Sequence, residues 1–174
     1  MRNFIIILIC LFSISGFANP LKRAEVKCIY DSQLNVREQS GKNDGKDVEK
    51  YLRYTKLGKG YAWCAAFVCW VYGSANVENP QTAWSPSMFP AKNLIYQKGS
   101  KVFNQQPQTG DVFGIYFSNL KRIAHVGFVD SWDEGNYAIT VEGNTNDAGS
   151  REGDGVYRKR RLKNQIYKVS DFIR

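Results

Sequence analysis

The chain has 174 residues, with 24 Lys and Arg against 16 Asp and Glu, four cysteines and a single histidine. This length predicts one domain with a buried core, and the 14% aromatic and 23% charged content excludes disordered, collagen-like and coiled-coil proteins. The lone histidine argues against a catalytic zinc built from several imidazoles, and the formal charge of +8 predicts an anionic partner.

The first 18 residues have the pattern of a secretory signal peptide. A short basic start at residues 1–3 precedes an apolar run over residues 4–14, and Gly16 and Ala18 are the small residues expected before a cut. The apolar run is shorter than the roughly 20 residues that a membrane-spanning helix needs. We therefore expect an exported protein, periplasmic or secreted, that begins at Asn19 and keeps no stable membrane anchor.

Cleavage would remove Arg2 and Cys10, leaving 23 basic and 16 acidic residues, a formal charge of +7. Three cysteines remain: Cys28, Cys64 and Cys69. An odd number leaves at least one thiol unpaired in an oxidising compartment. A disulfide between Cys28 and Cys69 would leave Cys64 free, but spacing does not decide connectivity.

The first half of the remaining chain predicts helices. Residues 19–40 are mixed and polar and favour no element, and residues 41–45 are typical of a loop. Asp47 predicts the cap of a helix over residues 48–57, and the wholly apolar run 64–72 predicts a buried core helix. A crossing rich in proline and serine then precedes a shorter predicted helix through Leu94 and Tyr96.

The second half changes to the alternation typical of strands. Runs of β-forming residues separated by Gly, Asn and Asp cover residues 111–117, 124–132, 137–142, 156–162 and 166–169. Helices followed by strands predict an α+β fold, with the helices packed on an antiparallel sheet of five to six strands.

Cys64 is the strongest candidate for a nucleophile. It lies at the predicted start of the buried helix, where unpaired backbone N–H groups and the helix dipole favour a thiolate over a thiol. The same N–H groups can hold a developing oxyanion. Cys69 lies inside the helix and fits a buried hydrophobic role better.

A cysteine nucleophile needs a base, and His125 is the one imidazole in the chain. If Glu134 and Gly135 form a two-residue hairpin loop, cross-strand partners have residue numbers that sum to 269. Asn144 then lies opposite His125, and Glu142 lies diagonal to it on the same face. A carboxylate or amide there can orient the imidazole, whereas a three-residue loop would move Glu142 to the opposite face.

These residues carry a resemblance to the CHAP family, the cysteine, histidine-dependent amidohydrolases/peptidases. The matching segments occur in order at residues 63–68 (WCAAFV), 109–112 (TGDV), 124–127 (AHVG) and 142–144 (EGN). The resemblance runs from about Val36 to Leu162, and the NlpC-type peptidases share the layout. It implies a papain-like α+β fold, with residues 19–174 as a single catalytic domain that cleaves amide bonds of bacterial peptidoglycan.

The resemblance also implies the site. Cys64 would be the nucleophile that forms a thioester, His125 the base, and Glu142 and Asn144 the orienting polar groups. Tyr61 and Trp63 flank the nucleophile and are candidates for the substrate groove. No cofactor is implied: Asn43, Asp44 and Asp47 make only a faint calcium loop, which normally needs more carboxylates. Peptidoglycan is the expected partner, and an inhibitor or immunity protein is a further candidate.

Three alternatives stay open. The first is a nucleic-acid-binding protein, suggested by the basic run 158–163; export, strand alternation and the lack of interleaved aromatic residues disfavour it, and charge on a strand also protects a sheet edge. The second is a zinc module of Cys28, Cys64, Cys69 and His125, in which the five-residue spacing within a helix points two thiols apart. The third is a silent wall-binding relative or an amide-transferring enzyme of the same fold.

Overall fold

The computed structural model describes residues 19–100, 105–148 and 152–173. Three helices pack on one six-stranded antiparallel sheet, which confirms the predicted α+β class. The predicted signal peptide, residues 1–18, lies outside the described residues. The helices are α1 Pro20–Asp31, α2 Lys46–Tyr54 and α3 Cys64–Ser74; the strands are β1 Leu94–Gln97, β2 Val112–Phe117, β3 Arg122–Ser131, β4 Tyr137–Thr145, β5 Gly155–Leu162 and β6 Lys168–Ser170.

The sheet has the strand order β1-β6-β2-β3-β4-β5, and every neighbouring pair is antiparallel. The two longest strands, β3 and β4, are neighbours, and they carry the predicted His125 and Glu142. Among the described helices, none has the length and apolarity needed to cross a membrane.

Helix α1 forms where the sequence favours no element. Asn19 caps it by accepting a hydrogen bond from the Lys22 N–H at 3.0 Å, and Pro20 occupies the first turn, where its missing N–H costs nothing. Its buried face consists of three residues, Arg23, Val26 and Tyr30. Because one of these three residues is charged, the hydropathy pattern of the sequence does not predict the buried face of this helix.

The predicted short helix through Leu94 and Tyr96 is wrong, because these residues lie in β1. Leu94 pairs with Ser170 and Tyr96 with Val169 of β6, so the segment completes the edge of the sheet. A run of four residues carries too little periodicity to separate helix from strand, and the pairing with β6 decides its conformation.

Helix α3 begins at Cys64, as predicted, and is buried nearly all round. Tyr51 of α2 stacks on Trp63 with ring centroids 5.6 Å apart, and Phe67 meets Phe128 of β3 edge to face at 5.9 Å. These contacts hold the start of α3 between α2 and the sheet, which brings Cys64 to the strands that carry the other predicted site residues.

The register between β3 and β4 is the predicted one at the site, for a partly different reason. Phe128 pairs with Val141 and Val129 with Thr140, so the numbers sum to 269 as expected, but Ser131 pairs with Ile139 nearer the turn. The loop is thus longer than two residues, and a bulge in β3 restores the predicted register before the site.

Strand β5 lies at an edge of the sheet, as its charged sequence indicated. Its cations face different partners. Arg158 pairs with Asp130 at 3.1 Å and also with Asp31, whereas the Arg160 guanidinium stacks 3.5 Å from the ring centroid of Tyr137. The basic run is therefore distributed over both faces of the strand and forms no single stripe.

Candidate active site

Cys64 occupies the first position of α3, and its side chain is almost wholly buried. The preceding residue, Trp63, makes no side-chain cap, and the first turn holds no acidic residue. The free N–H groups and the positive end of the dipole therefore remain directed at the thiol. The Ser85 hydroxyl lies 3.5 Å from Cys64 Sγ.

His125 and Glu142 form a buried pair. Nε2 of His125 donates to Oε2 of Glu142 at 2.8 Å, and both side chains are at most 1% exposed. Nδ1, the other ring nitrogen, is buried and has no hydrogen-bond partner among the described residues. The hydrogen bond to Glu142 fixes the tautomer that leaves the lone pair of a neutral ring on Nδ1.

Two residues that the sequence analysis missed complete the surroundings of Glu142. Thr140 Oγ1 donates to Oε1 at 2.6 Å. The Arg161 guanidinium donates from Nε to Oε1 at 2.6 Å and from Nη2 to Oε2 at 2.5 Å. Arg161 pairs in register with Ala138, four residues from Glu142, so the contact depends on the reach of its side chain past small neighbours. Strand pairing alone therefore does not reveal it.

The pKa directions follow from these contacts. Burial raises the pKa of Glu142, but Arg161 and His125 outweigh it and lower the pKa to about 2. Burial lowers the pKa of His125, but the Cys64 thiol and Glu142 outweigh it and raise the pKa to about 9. Burial raises the pKa of Cys64, yet His125 and Ser85 bring it below its ordinary value. These directions favour a thiolate beside an imidazolium.

Two glycines make room for this arrangement. A Cβ at Gly127 would lie 2.7 Å from the Val141 carbonyl oxygen and 2.9 Å from Cγ of Glu142, in the path of the carboxylate toward His125. A Cβ at Gly143 would lie 2.7 Å from the Trp63 ring, so a side chain there would push the start of α3 off the sheet. Both positions require the absence of a side chain.

Asn144 lies at the site but holds other partners than predicted. In the amide orientation that satisfies its neighbours, Oδ1 accepts from the Trp63 N–H at 3.3 Å, and Nδ2 donates to Asn43 Oδ1 and the Gly153 carbonyl, each at 3.1 Å. The expected contact with His125 is therefore corrected. Asn144 sits in the left-handed region at φ 55°, beside a bulge in β4 that turns its amide toward the start of α3.

A groove of about 420 Å³ opens beside Cys64. Tyr61, 57% exposed, and Trp84, 52% exposed, line it, and the Arg122 guanidinium stacks 4.3 Å from the Trp84 ring centroid. The expectation that Trp63 lines the groove is wrong, because its ring is wholly buried and its Nε1 donates to Glu38 at 2.8 Å. That Tyr61 contacts substrate stays a prediction.

Two further cavities adjoin the site. One of about 680 Å³ is lined by His125 and Arg161, together with Lys98 and aromatic residues. Another of about 810 Å³ lies on the Asn144 side and meets the Cys64 groove at Ala62. Its wall carries four acidic residues, Glu38, Asp147, Glu152 and Asp154. The site therefore adjoins one cavity lined by basic side chains and another lined by acidic side chains.

The remaining thiols do not converge on the site. Cys28, Cys64 and Cys69 are all free, which corrects the disulfide considered for Cys28 and Cys69. Cys28 is exposed on α1, whereas Cys69 Sγ contacts Met88 Sδ at 3.7 Å. Within the described ranges, no group of three or more metal-binding side chains of the His, Cys, Asp and Glu types comes together.

The residues of the faint calcium loop have separate partners. Asp44 accepts hydrogen bonds from the Ser40 N–H at 2.9 Å and the Ser40 hydroxyl at 2.7 Å. Asp47 pairs with Lys50 at 2.7 Å. The two carboxylates are therefore engaged by protein donors in different places.

The fold and the site together define an α+β protein in which a thiol at a helix start adjoins a buried imidazole–carboxylate pair on neighbouring strands. A family model, the CHAP domain, matches residues 56–144, just over half of the chain. The chain belongs to the CHAP domain family, as its motifs indicated, and so to a class of amidases and peptidases typically related to the cell wall. The searches of curated proteins and of solved structures found no match.

Proposed function

We propose that the protein is an exported cysteine amidohydrolase or endopeptidase that cleaves amide bonds of bacterial peptidoglycan. The observation that carries the proposal is the buried 2.8 Å hydrogen bond between His125 Nε2 and Glu142 Oε2, next to a cysteine at a helix start. This is the nucleophile, base and orienting group that thiol catalysis requires. Membership of the CHAP domain family supports the substrate class.

The reaction begins with the Cys64 thiolate attacking the amide carbonyl carbon, while His125 holds the proton. The Cys64 N–H, together with the Ser85 hydroxyl near Sγ, donates to the oxyanion that forms. As the C–N bond breaks, the imidazolium gives its proton to the leaving amine, and a thioester remains on Cys64. Neutral His125 then takes a proton from water, which attacks the thioester and releases the acid.

Export is part of the proposal. Its support is the pattern of residues 1–18, with a basic start, an apolar run and small residues before the expected cut. The formal charge of +7 on the remaining chain suits an anionic envelope. N-terminal sequencing of protein recovered from outside the cytoplasm should begin at Asn19; recovery of the intact N-terminus in the cytoplasm alone would contradict export.

The test of function is digestion of purified peptidoglycan. We expect the wild-type protein to clear the suspension and release soluble fragments, and Cys64→Ala to release none, because the variant has no thiolate. Cys28→Ser is the matched control, since this cysteine is exposed on α1 away from the site. Full activity of Cys64→Ala, or no release by the wild type, would contradict the proposal.

Mass analysis of the fragments would identify the bond. A muramoyl–alanine amidase separates stem peptides from glycan, whereas an endopeptidase leaves shortened stems or opened cross-bridges. Adding a free amine tests transfer at the same time, because capture of the thioester by the amine gives an amide that is heavier than the hydrolysis product by the mass of the amine less that of one water.

A further inference from the structure

We propose that Arg161 is a positioning residue for the Cys64–His125 pair, acting through the carboxylate of Glu142. The inference deepens the proposed function and rests on it, since it assigns how the thiol is kept reactive. The resemblance and the motifs that carry it contain no role for Arg161.

A chain of hydrogen bonds, here called the relay, links Arg161, Glu142 and His125 across three neighbouring strands. Arg161 on β5 binds both oxygens of Glu142 on β4, at 2.6 and 2.5 Å, and Oε2 of Glu142 accepts from His125 on β3. A guanidinium that holds both carboxylate oxygens fixes the plane of the carboxylate as well as its position. The direction in which Oε2 faces Nε2 is thereby set by Arg161.

The charges explain why the carboxylate needs this partner. The Glu142 side chain is fully buried, and the Arg161 side chain is 11% exposed. A buried carboxylate without a compensating cation takes up a proton. A protonated Glu142 would no longer favour the imidazolium, and a neutral His125 would no longer favour the Cys64 thiolate.

Other polar groups near this relay do not replace Arg161. Thr140 donates to Oε1 but carries no charge. Lys159, also on β5, interacts electrostatically with Glu142, but its ammonium donates to the backbone carbonyls of residues 146 and 147. On the thiol side, Ser85 faces Cys64, and the Phe113 ring packs edge to face on His125. Arg161 is the cation with hydrogen bonds to the carboxylate among these groups.

The 680 Å³ cavity makes the role testable by chemical rescue. Arg161 and His125 both line this cavity, so truncation of Arg161 leaves a space that a guanidinium ion can enter from solution. Arg160→Ala is the matched control, because it removes the neighbouring arginine of the same strand, which stacks on Tyr137 away from Glu142.

The experiment follows alkylation of Cys64 by iodoacetamide against pH, read by mass spectrometry of the Cys64 peptide, in the purified wild-type protein and variants. Arg161→Ala should shift the midpoint up by about one pH unit or more, equivalent to an approximately tenfold smaller thiolate fraction below the midpoint. Arg161→Lys keeps the positive charge but loses the paired N–H donors of the guanidinium, so it should shift the midpoint less. Arg160→Ala should match the wild type.

Guanidinium at a non-denaturing concentration should return the Arg161→Ala profile toward the wild type, and it should not rescue Glu142→Ala, which lacks the carboxylate. Wild-type profiles in both Arg161 variants, or equal rescue of both alanine variants, would overturn the proposal. If Arg161→Ala does not fold, judged by circular dichroism, the Arg161→Lys profile decides in the same way.

Alkylation needs no substrate, so the two proposals can fail separately. A shifted profile in a protein that releases nothing from peptidoglycan would reject the proposed function while supporting the role of Arg161. An unshifted profile in an active enzyme would reject the role of Arg161 alone.

Discussion

Two arginines in the described part of the chain, Arg23 and Arg161, hold buried carboxylates, and the second lies at the candidate site. Arg23 of α1 pairs with Asp111 at 2.7 Å and Asp171 at 2.9 Å, whereas Arg161 pairs with Glu142. The carboxylates of the Arg23 network also accept from backbone: Asp111 Oδ2 accepts from the Gln108 N–H, and Asp171 Oδ1 accepts from the Ile173 N–H. The Arg161 network continues to an imidazole and a thiol.

The comparison shows that a buried ion pair does not by itself mark a functional site. Arg23 joins α1 to the start of β2 and to the C-terminal segment, so its network stabilises the fold. Asp111 belongs to the segment 109–112 that carries part of the family resemblance, and its contacts here are structural. The second network differs because it continues past Glu142 to the imidazole of His125, which interacts with the Cys64 thiol.

Among the changes that compare the two networks, removal of the His125 imidazole should have the largest effect. We expect His125→Ala to lower the rate of peptidoglycan release by about 10³-fold or more, because neither a base for water nor an acid for the leaving amine remains. The thermal unfolding midpoint and the rate of release should be measured together. Release near the wild-type rate by a folded variant would place the base elsewhere.

Breaking the other network should affect stability instead. Arg23→Met should lower the free energy of unfolding by about 3–5 kcal/mol, because it leaves two buried carboxylates without their cation. Release per folded molecule should stay at the wild-type level, with the folded fraction measured by denaturant unfolding. A variant of unchanged stability and reduced activity would contradict the division between the two networks.

Neutralising the carboxylate of the candidate site should have a smaller effect on rate. Glu142→Gln keeps an oxygen that can accept from Nε2 but loses the charge, so we expect about a 10²-fold loss of release, roughly 2.7 kcal/mol. The same change should remove the contribution of Glu142 to the acid dependence of stability. Glu142 stabilises the wild type above its ordinary pKa near 4.5, and this contribution is lost as the pH falls toward 2. Identical acid unfolding of variant and wild type would contradict this.

The sequence predicted the elements whose signals are local. The run from Cys64 is apolar throughout, so it indicates a buried helix and places the thiol at its start. The predicted hairpin placed Glu142 on the same face of the sheet as His125, and the structure shows the two side chains in contact. The bulge that corrects for the longer loop falls at Asp130, whose carboxylate accepts a hydrogen bond from Tyr30 of α1 at 2.7 Å. Strand pairing does not reveal this contact.

The features that the sequence missed depend on long-range contacts. Arg161 reaches Glu142 from a register position four residues away, and Ser85 approaches Cys64 from a short 3₁₀ helix at Ser85–Met88. Trp63 looked like a groove residue because it adjoins the nucleophile. Its side chain instead points into the core, where Tyr51 stacks on it.

The central claim is that Cys64 is held as a thiolate by the imidazolium of His125. The most direct measurement is the pH dependence of Cys64 alkylation in the wild-type protein. We predict a midpoint below the ordinary thiol value of 9.0, with the imidazolium lost as the pH rises through about 9. A midpoint at 9.0 or above would mean that the buried thiol is protonated at neutral pH, and it would contradict the assignment of Cys64 as the nucleophile.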